Sequence, residues 1–377
     1  MKTRHVLSAL STLSIFALGC ATEQPAAPDL EIRLARGGSS GGSGGGGSTT
    51  LIVPVRLDDP KSLGCTGTDG YVVNAGTPSM AGGDCAKSGK LWPYVWTAGA
   101  GGTVLPIADG WVKAISSGGT VFGMANLRPF YKTPSGALTY LPYLSSANTG
   151  GDVSATAANG SIVAGYVERA IAGGWTGDPV IWTWSGTEWS VAASPLFVNA
   201  MNENGQVMAG GTTVLTNVGG NWSQQTLPTG GAIRGNALGI NATGSVIVGT
   251  RTLPVTADPS KSYEQHVAWI ADGAGGWTLS VLGGIDVGEG RAYSVADQQD
   301  GSTIAVGYTW QDKSGPRAQR WAVAWRKPAG AAEFGAPVRL QPLSKGASAS
   351  AQSVNYKGEI VGTAATATST VAVMWKL

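Results

Sequence analysis

Residues 282–309 read LGGIDVGEGRAYSVADQQDGSTIAVGYT, and residues 237–250 read ALGINATGSVIVGT. Both run in one order: an alanine-bearing segment, a turn with Asn or Asp before Gly, an apolar run and a closing glycine. Shorter copies of the run stand at GTVFG (119–123), GSIVAG (160–165), GQVMAG (205–210) and GEIVG (358–362), and a weaker one, GYVVNAG, begins at Gly70. From Gly123 to Gly362 the closing glycines are spaced by 42, 45, 39, 58 and 55 residues. Each run lacks a polar alternate, as expected of a strand covered on both faces. In the turns before it, NENG at 202, NATG at 241 and NYKG at 355, Asn starts the turn and Gly supplies the positive φ.

Working outward, a strand precedes each turn: WVKAI, VSATA, FVNAM, ALGI, AYSVA and AQSV. A third strand follows each glycine and ends near Trp96, Tyr131, Trp182, Leu215, Trp269, Trp325 or Trp375, and segments such as WSQQTLP, WTLSVLG and PVRLQPL supply a fourth. Four antiparallel strands in units of roughly 40 to 58 residues define an all-β protein and, within that class, a β-propeller. The last unit stops at Leu377 without a fourth strand, while a spare strand, TTLIVPVRL, precedes the first unit. Its PVRL (54–57) recurs in the fourth-strand segment at 337–340. The N-terminal strand is therefore expected to complete the last blade and close the ring. Fourth strands near Leu57, Leu105, Leu141, Val191, Leu227, Val281 and Leu340 count seven blades, with six or eight left open because units one and four are degenerate.

The two quoted stretches, each followed by a VAW strand (AVAW at 322–325, VAW at 267–269), resemble the bacterial extracellular HAF repeat. That resemblance covers most of residues 105–377. It implies an exported propeller-like repeat protein and brings no assigned activity or catalytic residues with it.

Composition agrees with this reading. The 377 residues include 58 glycines and 14 tryptophans, with 25 basic against 23 acidic residues. A disordered chain would need high net charge and few aromatics. A nucleic-acid partner would call for clustered Lys and Arg.

The N-terminus, MKTRHVLSALSTLSIFALGC, places Lys2 and Arg4 before an apolar run too short to span a membrane. Its ending resembles the bacterial lipobox, which implies cleavage after Gly19, acylation of Cys20 and anchorage to a bilayer. Removing Met1–Gly19 leaves 23 basic and 23 acidic residues. Residues 20–48 carry GGSSGGSGGGGS and read as a flexible tether, and 49–377 as the propeller. With Cys20 lipidated, Cys65 and Cys85 remain as a pair for a disulfide, stabilising by about 3 kcal/mol on the loop-entropy account.

In a four-strand meander, the connections from strand one to two and from three to four share one side of the disc; the rest share the other. The first set is expected to be tight. The second varies in length, and variable loops on a rigid scaffold carry recognition. Three long loops there begin after Gly165, Gly249 and Gly307. With the connection LGGIDVGEGR, they supply the candidate ligand-binding residues Trp175, His266, Trp310, Trp321, Asp286, Glu289 and Arg291. Tryptophans in register with the repeat, including Trp182, Trp222 and Trp277, read as packing.

Catalytic and metal motifs are absent, and no cofactor is implied. His266 is the single histidine after the signal segment and has no motif around it. The expectation is a monomeric binding or scaffold module of the cell envelope, at the outer membrane or cell surface, with a glycan or envelope protein as ligand. The alternatives are a polysaccharide hydrolase or lyase using loop-side carboxylates, and a purely structural surface lipoprotein.

Overall fold

The computed structural model describes residues 52–255, 258–285, 288–312 and 319–377. The segment 1–48 with Cys20, and Asp286, lie outside the described residues. Seven four-stranded antiparallel sheets follow one another along the chain. Blade 1 runs from Gly67–Val73 to Gly101–Val104, blade 2 from Trp111–Ile115 to Leu138–Tyr140, and blade 3 from Asn148–Thr156 to Trp189–Ala193. Blade 4 runs from Ala200–Met201 to Asn221–Thr226, blade 5 from Arg234–Ile240 to Trp277–Val281, and blade 6 from Gly290–Asp297 to Val338–Arg339. Blade 7 comprises Ala349–Val354, Glu359–Ala365 and Thr370–Lys376, and its outer strand is Val55–Arg56 from the other end of the chain. Val55 pairs with Met374 and Arg56 with Val373, so the ring closes as the spare strand implied and the count is seven.

The closing glycine of each second strand lies against a backbone carbonyl. In six blades the inner strand carries a β-bulge, for instance between Ala237 and Gly239 in blade 5. There the inner-strand carbonyl crowds the neighbouring strand. A Cβ at Gly83, Gly123, Gly165, Gly249, Gly307 or Gly362 would overlap the carbonyl oxygen of Asp69, Trp111, Asp152, Asn236, Arg291 or Ser350, respectively, and in blade 4 one at Gly210 would overlap that of Phe197. The weak copy at Gly70 is corrected by this register: GYVV belongs to an inner strand, and the second strand of blade 1 is Met80–Lys87 with Gly83.

Third-strand tryptophans lock neighbouring blades. Trp182, Trp269, Trp325 and Trp375 are fully buried. Each indole N–H donates to a backbone carbonyl of the connection entering its own blade: Pro142 (2.7 Å), Pro228 (2.8 Å), Gly283 (2.7 Å) and Gln341 (2.8 Å). Leu141, Leu227, Leu282 and Leu340, one residue earlier, are buried too. One tryptophan departs from the packing expectation: Trp222, on the outer strand of blade 4, is exposed.

The turns from inner to second strand form a closed girdle. Asn74 Nδ2 donates to Ser116 O, Ser117 N to Ala158 O, Ala158 N to Glu203 O, and Asn202 Nδ2 to Ala242 O. Asn241 Nδ2 then donates to the Asp297 carboxylate, Gln298 Nε2 to Asn355 O, and Asn355 Nδ2 back to Asn74 O. These asparagines also accept from their own turns, as Asn241 Oδ1 does from Val246 N at 2.8 Å. This side is not uniformly tight, because the last connection of blade 6 spans residues 328–337.

The long loops of the opposite side are strand extensions. In blade 3 the ladder continues to Ile171↔Gly174, and in blade 5 to Val255↔Asp258. They project as two-stranded ribbons because their backbone groups pair with each other. Cys65 and Cys85 form the expected disulfide, with Cα atoms 5.7 Å apart. Among the described residues no helix is long and apolar enough to cross a membrane.

Candidate functional site

On the inner strands of blades 1 to 3 and the second strand of blade 1, polar side chains gather where apolar ones would ordinarily pack. Asp69 and Asp84 are cross-strand partners in blade 1, a like-charge pairing that destabilises when both ionise. The Tyr71 hydroxyl donates to Asp84 Oδ2 at 2.5 Å. Lys113, on the inner strand of blade 2, lies with Nζ 4.1 Å from the Tyr71 ring centroid and 5.5 Å from that of Trp111. Trp111 Nε1 donates to Asp152 Oδ2 of blade 3 at 2.9 Å. Asp84 and Asp152 are buried. A chain of contacts thus runs Asp69–Asp84–Tyr71–Lys113–Trp111–Asp152 across three successive blades.

Burial sets the electrostatics. It pushes the Asp84 carboxyl up to about 7, with the Asp69 charge adding to the rise and Tyr71 and Lys113 opposing it. It lifts Asp152 to about 6 against the pull of Lys113 and the Trp111 N–H, and it raises Asp69 as well. Perturbed carboxyls clustered with a cation and aromatics are the physical signature of a functional site more than of a folding core.

Most residues singled out in the sequence lie elsewhere. Arg291, Glu289 and Trp310 come together at the loop side of blade 6. Arg291 holds Glu264 of blade 5 in a two-pronged pair at 2.6 and 2.8 Å, and the Glu289 carbonyl accepts from Trp310 N at 3.0 Å. Trp310 packs edge-on against Tyr308 with centroids 5.6 Å apart. Trp321 is half-buried under the Arg339 guanidinium, 3.9 Å from its ring. Trp175, 48% exposed, stands on the blade 3 ribbon opposite Ala170.

His266 does not reach the loop side: its side chain is wholly buried. Nδ1 pairs with Leu282 O at 2.8 Å, and the ring packs 5.0 Å from Trp325 of blade 6. Burial lowers its pKa and keeps it neutral, and Nε2 has no partner among the described residues. As a ligand-binding residue it is withdrawn, because a blade interface covers it.

The aspartates of this cluster were missed by sequence reasoning. Their available signal is a charge inside glycine-rich or apolar strands: TDGYVV (68–73), GGDCA (82–86) and GGDVS (150–154). Two surface depressions, of about 650 and 440 Å³, lie elsewhere: one against Gln225, Pro228 and Trp277, the other against Asn74, Pro78 and Pro134. Neither is lined by a carboxylate. Among the described residues no group of three or more His, Cys, Asp or Glu side chains is arranged to hold a metal ion.

Fold and topology define a seven-bladed β-propeller. No family model and no curated protein sequence matches the chain. Among solved structures, the chain is similar to one in a crystal structure of the mitotic checkpoint complex, at 11% identity over 91% of this chain and 99% of that one, with a TM-score of 0.49. It is also similar to a glycosyl hydrolase from Bacteroides ovatus, at 10% identity over 88% and 92%, with a TM-score of 0.29. Likenesses this distant have no bearing on function.

Proposed function

We propose that this protein is an exported, lipid-anchored binding module of the bacterial cell envelope whose propeller receives a glycan. The observation that carries the binding reading is the Asp84–Tyr71–Lys113–Trp111–Asp152 chain across blades 1 to 3. Sugar hydroxyls need acceptors and donors held in place, and their C–H faces pack on aromatic rings. The cluster supplies carboxyls, an ammonium and two rings within one arc. Export and anchoring are supported by the lipobox-like FALGC ending at Cys20 and the Gly/Ser tether. Intact mass of the mature protein is expected to show a diacylglycerol on Cys20; cleavage at another residue would overturn the anchor.

The binding test is a glycan array. The native protein is expected to retain a defined set of glycans, and Trp111→Ala to lose them by roughly tenfold or more while keeping its melting temperature within a few degrees. Retention of no glycan by the native protein would overturn the reading.

A second reading is favoured by one arrangement, two buried carboxyls on a single chain of contacts, Asp84 raised to about 7 and Asp152 to about 6. Carboxyls that hold their protons close to neutrality can serve as general acid or base in polysaccharide cleavage. Turnover of a polysaccharide library, with pH limbs near those values and abolished by Asp84→Asn and by Asp152→Asn, would support it. Turnover surviving in the double variant would sink it.

A further inference from the structure

At the loop side of blade 6 stands a guanidinium that no carboxylate among the described residues answers. Arg320 lies on the third strand, Gln319–Lys327, opposite Trp310 in the ladder. Its guanidinium carbon is 4.8 Å from the Trp310 ring centroid and 4.9 Å from that of Tyr308. Its backbone N–H donates to Ser348 Oγ of blade 7 at 2.8 Å, which ties the strand to its neighbour. Among the described residues the guanidinium itself has no hydrogen bond or ion pair. Glu264, nearby, is already held by Arg291 through both of its oxygens. Between residues 341 and 377 the one acidic residue is Glu359, which bonds Ser79 and Asn355 on the turn side.

We propose that Arg320 is an anion subsite at the loop side of blade 6 and that the glycan places a sugar carboxylate on it, as a uronic acid does; the proposal rests on the glycan reading. Arginine's planar fork matches a carboxylate through two parallel hydrogen bonds. Stacking on Tyr308 and Trp310 orients that fork beforehand, so little side-chain freedom is lost on binding. Glu264 adds acceptors: each carboxylate oxygen keeps a lone pair after bonding Arg291 and can take a sugar hydroxyl. A cationic fork, an acceptor pair and aromatic rings on one arc suit an acidic sugar. An acidic peptide would leave the acceptor pair without hydroxyl donors.

The experiment is calorimetric titration with a panel of uronate oligosaccharides, each paired with its carboxyl-reduced neutral form. The native protein is expected to bind the uronate form roughly 10- to 100-fold more tightly, with the gap narrowing as salt rises. Arg320→Ala should bind the two forms alike at an unchanged melting temperature, and Arg320→Lys should recover part of the preference. Equal binding of both forms by the native protein, or a preference that survives Arg320→Ala, would overturn the subsite and leave the glycan reading standing. Failure to bind any member of the panel would overturn the subsite, and only failure on the glycan array as well would overturn the glycan reading. Arg320-dependent binding of a polyglutamate peptide at equal strength would overturn the assignment to a sugar.

Discussion

Replacing Gly249 with alanine is expected to destabilise the propeller by about 3 kcal/mol or more. Gly249 sits in the second strand of blade 5 directly against the bulged inner strand. A Cβ there would overlap the Asn236 carbonyl oxygen, with the carbonyl carbon at 3.0 Å and Ala237 Cα at 3.1 Å. The obstacle is the backbone of the inner strand, so no rotamer change relieves it. The inner strand would have to move as a unit against blade 6, whose Tyr293 and Ser294 backbone already lies close against Gly239. The matched control is Gly174→Ala at the tip of the blade 3 ribbon, where an added Cβ meets nothing within 4 Å and the backbone is not left-handed. That variant should stay within about 0.5 kcal/mol of the native protein. Urea unfolding of the two variants decides the matter: equal midpoints would sink the steric account.

The same glycine explains what the sequence makes legible. The cause of the repeat is local, since a bulge beside a covered strand demands glycine at one position, and a tight turn demands Asn and Gly a few residues earlier. Both constraints recur in most blades, so strand order, closure and the packing role of Trp182 or Trp325 can be read without coordinates. The polar cluster has no such cause. Asp69 opposes Asp84 only in a particular register across a bulge, and Lys113 and Asp152 arrive from the next two blades. No local motif links them. His266 shows the converse limit: its chemistry is legible, but its burial depends on Trp325 from the following blade. The long loops were misjudged for a related reason, because their composition resembles open loop while their two arms pair with each other.

Asp84→Asn is expected to be more stable than the native protein at about pH 8, by about 2 to 4 kcal/mol, with the difference closing towards zero near pH 4. The Asp84 carboxyl is pushed from its ordinary 3.8 to about 7, burial being the main cause. Between these values the folded protein holds a proton that the unfolded chain has released. The stability this confers is fully present below the unfolded value and is lost as pH rises through the folded one. Above that, an ionised carboxylate sits buried beside Asp69. Asparagine removes the charge and keeps an oxygen for the Tyr71 hydroxyl. His266 runs in the opposite sense, because its lowered pKa costs stability as pH falls below 6.5. It is present in both proteins, so it cancels in the difference. Unfolding midpoints measured across this range test the claim: a gap that does not change with pH would show Asp84 to be unperturbed. On the proposed glycan reading, a carboxyl kept at a cost in stability is kept for binding. Asp84→Asn should therefore also weaken glycan retention, and a variant that is both more stable and a poorer binder separates a recognition role from a folding one.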